Sequence, residues 1–395
     1  MKFFAPVLVI ACVGPAQAAT INAASCSRAA VASAIASASP GDTVLVPAGT
    51  CSWSGGLSIS GIQLIGAGKS ASGTVITADA VAMTKHASSY TRLSGFRFTA
   101  GDRHVTVGGS ASNKPFIIDN NYFFTSGGTM VGITVNGGVL HHNDFTASSG
   151  TNADVFSIIT SENWSQAATF GTGDGTGERN LYFEDNTFTN LLETAPDGDV
   201  GGRYVIRHNT YVDSSIVFHG GAPNDSSPGG GTRQFEVYGN TFKRVSNSVP
   251  INKWIWVRGS SGVFANNIMD RADSPDGSSY PNKSEIRLTL ACPGSYPMQY
   301  QVGQSNQSPE NPPSHPLLIF GNTGAGATDG NSVTVGSSDT AGGSCSSPGT
   351  YIKPGRDYML SNTWGWTPYP YPHPLQSMAT GGGALPTAPI NLRVF

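Results

Sequence analysis

Charged residues are scarce in this chain. Asp, Glu, Lys and Arg make up 12% of its 395 residues, and the formal net charge is -3, whereas charged residues form about 25% of a typical soluble domain. The lack of a basic excess excludes a protein that binds nucleic acid through the phosphates. Wholesale disorder is also excluded, because that state combines few apolar residues with a high net charge, and 38% of this chain is hydrophobic.

Long apolar runs are missing too, except at the N terminus. No later segment approaches the roughly 20 apolar residues of a membrane-spanning helix. Residues 1–18 have a short basic start, an apolar stretch and a small-residue cleavage site at Ala16–Ala18, which is the pattern of a secretory signal peptide. A lipoprotein signal with Cys12 lipidated is a weaker alternative. We expect a secreted protein, extracellular or periplasmic, with neither a membrane nor a nucleic-acid partner.

Cysteines are few, and four remain once the signal is removed. An even number in a secreted chain favours disulfides. Sequence order suggests the pairs Cys26–Cys51 and Cys292–Cys345, although four cysteines allow three connectivities. A metal site is the alternative, but no CxxC spacing or paired His supports it.

Glycine is abundant, with 50 residues, and the chain is rich in turn-forming Asn and Ser. An Ala-rich segment at 27–39 is the one clear helical pattern. It is followed by a turn at 40–42 and a short apolar strand at 43–46. Beyond that point the chain alternates between short strands and turns, which is typical of a β-dominated protein.

An internal repeat organises the chain from about residue 116 to residue 324. Each repeat carries an Asn two residues before its last position. The seven repeats are FIIDNNYF (116–123), GVLHHNDF (138–145), LYFEDNTF (181–188), YVIRHNTY (204–211), FEVYGNTF (235–242), GVFANNIM (262–269) and LLIFGNTG (317–324). Successive Asn residues are separated by 22, 43, 23, 31, 27 and 55 positions. The two long steps are either two turns or one turn with a large insertion.

A solenoid explains this spacing, because stacked turns bury one continuous core. In the third repeat, Leu181 and Phe183 point inward while Tyr182 and Glu184 point outward. We interpret the repeated Asn as a hydrogen-bonded column at a bend and the aromatic residue two positions later as an apolar stack. A second strand lies between most repeats, at 130–138, 154–162, 214–221 and 253–261. Units of two strands and turns, without intervening helices, predict a parallel β-helix.

The N-terminal segments carry a family resemblance. The Ala-rich helix and the run SPGDTVLVPAGTCSWSGGLSISGIQLIGAG (39–68) resemble the cap and first turns of proteins of the pectate-lyase-like superfamily. The resemblance covers roughly residues 24–325. It implies an all-β chain that forms a right-handed, single-stranded parallel β-helix with a short N-terminal capping helix. The superfamily includes lyases, glycoside hydrolases and non-catalytic adhesins, so the resemblance does not choose an activity.

The domain organisation expected from these patterns is simple. Residues 19–375 form the β-helix domain, in which an aromatic and proline-rich segment at 364–375 covers the solenoid. Residues 376–395 form a flexible tail. We expect a monomer that binds an extracellular polysaccharide, because solenoids present long faces suited to extended polymers.

Two columns of ionisable residues stand out when the repeats are aligned. The first column lies two residues before each Asn and consists of Asp119, His141, Glu184, Arg207 and Tyr238. The second comes from the other strand and consists of Asn136, His219 and Arg258, each followed by Gly. The first column would also fit a solvated face with weak ion pairs, and the second would also fit side chains that cap backbone carbonyls at a bend.

Among these activities, our leading hypothesis is a lyase that cleaves a uronic-acid polysaccharide by β-elimination. This reaction needs a base and a cation that neutralises the carboxylate. The superfamily uses Arg or Lys as base and Ca²⁺ held by acidic residues, so Ca²⁺ is the candidate cofactor. The candidates for catalysis are Arg258, His219, Arg207 and Lys253. The candidates for metal binding are Glu184, Asp185, Asp197 and Asp199. The candidates for substrate binding are His141, Tyr238, Trp254 and Trp256.

Two other functions stay open. A glycoside hydrolase needs two carboxylates roughly 5–9.5 Å apart, which stacked turns could supply from Asp119, Glu184, Asp185 or Asp213. A non-catalytic carbohydrate-binding or adhesin-like protein would use the same scaffold without chemistry.

Overall fold

The computed structural model describes most of the chain. The described residues are 18–78, 81–99, 103–148, 153–157, 159, 164, 168–170, 179–192, 195–220, 230–245, 253–270, 285–290, 296–297, 299–306, 308–324, 333–337 and 348–380. The predicted signal peptide, Cys292, Cys345 and the end of the predicted tail lie outside these residues. No helix in the described part is long and apolar enough to cross a membrane.

Three parallel sheets make up the described structure, and the chain visits them in the order sheet 1, sheet 2, sheet 3 in successive turns. The strands of sheet 1 are Thr20–Asn22, Thr43–Val46, Gln63–Gly66, Thr91–Ser94, Phe116–Asp119, Gly138–His141, Leu181–Glu184, Arg203–Arg207, Gln234–Tyr238, Gly262–Ala265, Leu317–Phe320 and Tyr358–Met359. The strands of sheet 2 are Gly49–Cys51, Thr74–Ile76, Phe96–Phe98, Tyr122–Thr125, Asp144–Ala147, Thr187–Thr189, Thr210–Val212, Thr241–Lys243 and Ile268–Asp270. The strands of sheet 3 are Leu57–Ser60, Val81–Thr84, Val105–Gly108, Gly128–Ile133, Ala153–Ser157, Asp197–Gly198, Ile216–Phe218, Lys253–Val257, Glu285–Leu290 and Val333–Ser337.

The architecture is a right-handed parallel β-helix, as the resemblance implied. Each turn has three strands, however, and not the two that the sequence indicated. The repeat FIIDNNYF contains two strands, Phe116–Asp119 and Tyr122–Thr125, because the bend at Asn120 and Asn121 is too short to interrupt the pattern of apolar residues.

The first turn carries the helix Arg28–Ala36, where the sequence predicted one. Ser27 caps its N terminus, accepting a hydrogen bond from the Ala30 amide at 3.3 Å. The helix buries Val31 and Ala34 in the core of the solenoid. The predicted disulfide Cys26–Cys51 is present and ties the segment before the helix to sheet 2.

The repeated Asn residues form the predicted column at the bend between sheets 1 and 2. Each side-chain oxygen accepts hydrogen bonds from the main-chain and side-chain nitrogens of the preceding Asn, at 2.9–3.2 Å, from Asn121 to Asn322. Asn143 binds Asn186 directly and Asn267 binds Asn322 directly. The long steps of 43 and 55 residues are therefore single turns with large insertions.

The bend also explains two other features of the repeats. The residue before each Asn adopts a left-handed conformation, as at His142 with φ 56° and at Gly239 with φ 66°, which favours Gly, Asn, Asp and His. The aromatic residues two positions after the Asn stack inside the core with ring centres 4.6–5.2 Å apart and planes within 13°. The predicted Asn column and the predicted aromatic stack are therefore both parts of the scaffold.

The segment 364–376, here called the C-terminal strap, covers the outer face of sheet 1. Trp366, Tyr369 and Leu375 pack on the outward residues of that sheet and form a second apolar cluster outside the main core. The strap reaches the middle turns, since the amide of His373 donates to Glu184 at 3.0 Å. The 3₁₀ helix Pro374–Thr380 continues past residue 375, where the sequence placed the start of the tail.

Candidate functional site

The first ionisable column stands in register on sheet 1, as the alignment of repeats predicted. Asp119 pairs with His141, His141 with Glu184, Glu184 with Arg207, and Arg207 with Tyr238. None of these five side chains is open to solvent, and Tyr238, the most accessible, is 6% exposed. The strap contacts Glu184, Arg207 and Tyr238 directly. Substrate could reach this column only if the strap moved away.

Arg207 lies at the centre of this covered network. Its Nε donates to Oε1 of Glu184 at 2.7 Å, and its Nη1 donates to the Tyr238 hydroxyl at 2.9 Å. It also donates to the carbonyls of Tyr369 and Pro370 in the strap, at 2.7 and 2.8 Å. The guanidinium therefore anchors the strap to sheet 1, and the structure does not bring it together with His219 and Arg258.

Burial also determines the charge of the histidines under the strap. The pKa of His141 falls from 6.5 to about 4, mainly because burial disfavours the charged ring. The pKa of His373 falls to about 3 for the same reason, with a further contribution from the positive charge of Arg207. Both rings are neutral near pH 7 and behave as packed polar groups of the scaffold.

The four carboxylates expected to bind a metal lie on two different faces of the solenoid. Glu184 ends a strand of sheet 1 and Asp185 follows it, and both bind the strap: the Tyr371 hydroxyl donates to Asp185 at 2.6 Å, and the amide of His373 donates to Glu184. Asp197 lies on sheet 3, and Asp199 directly follows its strand. No group of three or more His, Cys, Asp or Glu among the described residues is arranged to hold a metal ion. These donors do not fit one Ca²⁺ site.

The outer face of sheet 3 holds part of the second set of predicted residues. Ile255 and Val257 belong to the core, so alternation turns Trp256 outward between them. Trp254 packs in the core instead, with its ring 5.9 Å from Phe242, and does not reach the outer face. Asn136, which was expected beside His219, is buried and caps the backbone at Arg203 and Gly201.

On this face, His219 lies between the carboxylate of Asp197 and the guanidinium of Arg258. Its Nε2 lies 3.0 Å from Oδ1 of Asp197, and its Nδ1 lies 2.9 Å from Nη1 of Arg258. The side chains of His219 and Asp197 are 24% and 15% exposed, and Arg258 is also partly exposed. Ligands can therefore reach these three side chains, in contrast to the column under the strap.

The two contacts identify the tautomer of His219. An arginine side chain can only donate, so Nδ1 accepts from Arg258, and in the neutral ring Nε2 carries the hydrogen and faces the carboxylate of Asp197. Burial tends to lower the pKa of His219, but the hydrogen bond and the negative charge of Asp197 outweigh it and raise the pKa above 6.5. This imidazole is a stronger base than an unperturbed histidine.

Trp256 supports Arg258 from the side. The guanidinium of Arg258 lies 5.0 Å from the ring centre, and Nζ of Lys253 lies 4.0 Å from it, both within the range of cation–π attraction. The indole nitrogen donates to the hydroxyl of Thr289 at 2.8 Å. Trp256 is 6% exposed, so it orients its cationic neighbours and offers little area for stacking on a sugar. Asp197, His219, Lys253, Trp256 and Arg258 are called the sheet 3 cluster below.

Glycines behind the cluster allow its turns to stack closely. A Cβ added to Gly220 would lie 2.1 Å from the carbonyl oxygen of Arg258, and one added to Gly259 would lie 2.6 Å from Cα of Gly220. Gly220 after His219 and Gly259 after Arg258 are thus both needed, because the backbones of neighbouring turns touch at these two positions. This contact keeps His219 and Arg258 at matching positions, each directly after the paired residues Phe218 and Val257.

Sequence reasoning missed two features of this face. It treated Asp197 as a metal ligand, whereas the structure places it against His219. It also overlooked Arg287 and Thr289, which lie on the next strand: Trp256 is in register with Arg287. The signal for Arg287 was its place between the apolar Ile286 and Leu288, but no repeat motif marks that strand.

The chain shares little with known proteins at the level of sequence. No protein-family model matches it, and no curated protein sequence matches it. Among solved structures, it is similar to the alginate lyase from Paenibacillus sp. str. FPU-7, with 13% sequence identity and a TM-score of 0.38. That match covers 80% of this chain and 99% of the other. At this identity and TM-score the likeness carries no argument about function, which has to be argued from the side chains of this chain.

Proposed function

We propose that this protein is a lyase that cleaves a uronic-acid-containing polysaccharide by β-elimination at the sheet 3 cluster. The observation that carries the proposal is the position of His219, whose ring bridges Asp197 and Arg258 on an accessible face. A base beside a fixed cation is the pair of groups that removal of a proton next to a carboxylate requires.

In this mechanism Arg258 binds the carboxylate of the sugar to be cleaved. This contact draws its guanidinium away from Nδ1 of His219, whose lone pair then becomes available as the base. Nδ1 removes the proton from the carbon next to the carboxylate, while Arg258 stabilises the negative charge that develops on the carboxylate oxygens. Asp197 holds the ring and balances the positive charge that His219 acquires.

The electron pair left on that carbon forms a carbon–carbon double bond as the neighbouring bond to the glycosidic oxygen breaks. The leaving oxygen takes up the proton that His219 has removed, so atoms and charge balance. No step is assigned to Ca²⁺, because the described carboxylates do not converge on one site. Arg258, with Lys253 beside it on Trp256, supplies the positive charge.

The test is incubation of the purified protein with a panel of uronic-acid polysaccharides, with and without Ca²⁺, while ultraviolet absorbance of new double bonds is followed. We expect at least one polymer to be cleaved. His219→Gln should lower the rate by roughly 10²–10⁴-fold, and Arg258→Gln by roughly 10²–10³-fold. Lys243→Gln, an exposed charge on sheet 2, is the matched control and should leave the rate unchanged.

The alternatives predict different outcomes of the same assay. Polymer that is bound but never cleaved would indicate a non-catalytic carbohydrate-binding protein. Cleavage without double bonds would indicate a hydrolase; the carboxylates Asp119 and Glu184 are poor candidates for it, because both are buried against Arg side chains. Cleavage that survives both His219→Gln and Arg258→Gln would remove the sheet 3 cluster from the mechanism.

We also propose that the protein is secreted and acts outside the cytoplasm as a monomer. The disulfide Cys26–Cys51 supports this location, because disulfides form and persist in oxidising compartments. Size-exclusion chromatography with light scattering of the secreted protein checks both points.

A further inference from the structure

A short contact near the N terminus points to a processing site with a structural role. The main-chain nitrogen of Ala19 donates to Oδ1 of Asp42 at 2.7 Å, and the second carboxylate oxygen accepts from the amide of Ser39 at 2.8 Å. Asp42 is only 8% exposed. The carboxylate is thus fixed on the turn before the sheet 1 strand Thr43–Val46, and one of its oxygens is directed at Ala19.

The strand that begins next to Ala19 depends on this contact. The carbonyl of Ala19 accepts from the amide of Thr43 at 2.8 Å, and Thr20–Asn22 then pairs in parallel with the strand that starts at Thr43. This is an edge strand of three residues, and so short a strand needs an anchor at its end. Asp42 holds its first nitrogen in place.

From these contacts we infer that cleavage after Ala18 creates an α-ammonium group at Ala19 that forms an ion pair with Asp42 and locks the first strand of sheet 1. Cleavage converts an amide hydrogen bond into a charge-assisted one, and such bonds are shorter and roughly twice as strong as neutral ones. Removal of the leader would therefore complete the sheet. This inference does not depend on the proposed lyase activity.

The test compares three forms of the mature protein: a free Ala19 terminus, an acetylated Ala19 terminus, and a two-residue extension before Ala19. We expect the free form to have the highest melting temperature below pH 7. An ion pair favours the charged form of the ammonium group, whose ordinary pKa is about 7.7–8.0, so the advantage should vanish as the pH rises above this range. In the variant Asp42→Asn, the three forms should have the same melting temperature.

Other results would overturn the inference. Equal melting temperatures for the three forms with Asp42 intact would show that the charge has no role. A difference that persists in Asp42→Asn would show that Asp42 is not its partner. Intact mass of the secreted protein is expected to correspond to a chain that begins at Ala19, and a different start would contradict the assigned site.

A separate observation on sheet 3 identifies a residue for substrate choice. Arg287 lies between Ile286 and Leu288, which are core residues, so its side chain points outward and is partly exposed. It is in register with Trp256 on the neighbouring turn. Adjacent strands are about 4.7–4.9 Å apart, and one sugar of a 1,4-linked chain advances by a similar length.

The charges of this face change sign along the solenoid. The column that contains Arg287 runs back through Trp256 and Val217 to Asp197. An acidic residue therefore lies on the N-terminal side of the cluster and a basic residue on the C-terminal side. A polymer that lies along the axis would place its further negative charges beyond Arg258, toward Arg287.

Resting on the lyase function proposed above, we infer that Arg287 holds the carboxylate of the sugar next to the one bound by Arg258. The favoured substrate then has uronates on consecutive sugars. Arg287→Gln should raise KM roughly tenfold on such a polymer and leave kcat within about twofold. Arg287→Lys should recover part of the loss, and Lys243→Gln is again the control for lost charge.

The discriminating substrate is the same polymer with part of its carboxyl groups reduced to alcohols, so that the remaining uronates are isolated. Arg287→Gln should have no effect on this polymer. An equal loss on both polymers, a loss confined to kcat, or no loss on the native polymer would overturn the inference. A failure of the lyase proposal looks different, because the unmodified protein would then cleave no polymer at all.

A binding measurement on the unmodified protein gives a second test that does not depend on how the variants fold. A disaccharide of two uronates should bind more tightly than one in which a single uronate is joined to a neutral sugar. Equal affinity would contradict the role given to Arg287.

Discussion

Replacing Glu184 by Gln should destabilise the protein by about 3–5 kcal/mol, because it leaves the charge of Arg207 buried without its partner. Both side chains are fully buried, and the Nε–Oε1 hydrogen bond is 2.7 Å long. The same change weakens the contact between sheet 1 and the amide of His373 in the strap. Arg207→Met in a double-mutant cycle should give an interaction energy of roughly 2–3 kcal/mol between positions 184 and 207.

Urea unfolding followed by tryptophan fluorescence is the assay, since Trp364 and Trp366 lie in the strap and Trp366 donates to Glu236 at 2.8 Å. The midpoint should fall while the slope m stays constant. Cleavage of polysaccharide per folded molecule should be unchanged in both single variants. If Glu184→Gln is as stable as the unmodified protein, the ion pair does not anchor the strap. If Arg207→Met folds but has no activity, the role of Arg207 is not purely structural.

Three further predictions concern other parts of the molecule. Asp197→Asn should move the acid limb of the kcat/KM profile to lower pH, because the pKa of His219 is no longer raised; a profile that stays in place would exclude Asp197 as the partner of the base. Gly220→Ala should abolish cleavage or lower the melting temperature, because its Cβ meets the backbone of Arg258, and unchanged values of both would contradict this contact. In the folded protein the pKa of His373 is about 3. Its burial therefore makes the free energy of unfolding fall as the pH drops below 6.5, by about 2 kcal/mol at pH 5. His373→Gln should flatten that part of the curve of stability against pH, and an unaltered slope would contradict the neutral state of the ring.

Much of the scaffold could be predicted from the sequence, because repetition makes local chemistry visible. The Asn column and the aromatic stack recur at fixed positions, and the structure confirms both. The disulfide Cys26–Cys51 followed from simple proximity in the chain. The third strand of each turn was missed because the left-handed residue at the bend, such as His142, joins two strands without a visible break.

The candidate site was harder to predict, because alternation tells which face a side chain occupies but not what covers that face. Arg207 does point away from the core, yet the strap arrives from more than 150 residues later in the chain to cover it. The pairing of His219 with Arg258 could be predicted, since both precede glycines at the end of aligned strands. The partner of Asp197 could not, because an acidic residue in a loop gives no sign of whether it binds a metal or a histidine.

The central claim is that elimination takes place at His219 and Arg258, and the mass of the products tests it most directly. Mass spectrometry of the fragments from a cleaved uronic-acid polymer should show a new end that is one water lighter than a hydrolysis product. The same fragments should form roughly 10²–10⁴-fold more slowly with His219→Gln, while Arg207→Met should still produce them at the rate of the unmodified protein. Fragments that carry the added water, or unsaturated fragments made at an undiminished rate by His219→Gln, would contradict the account.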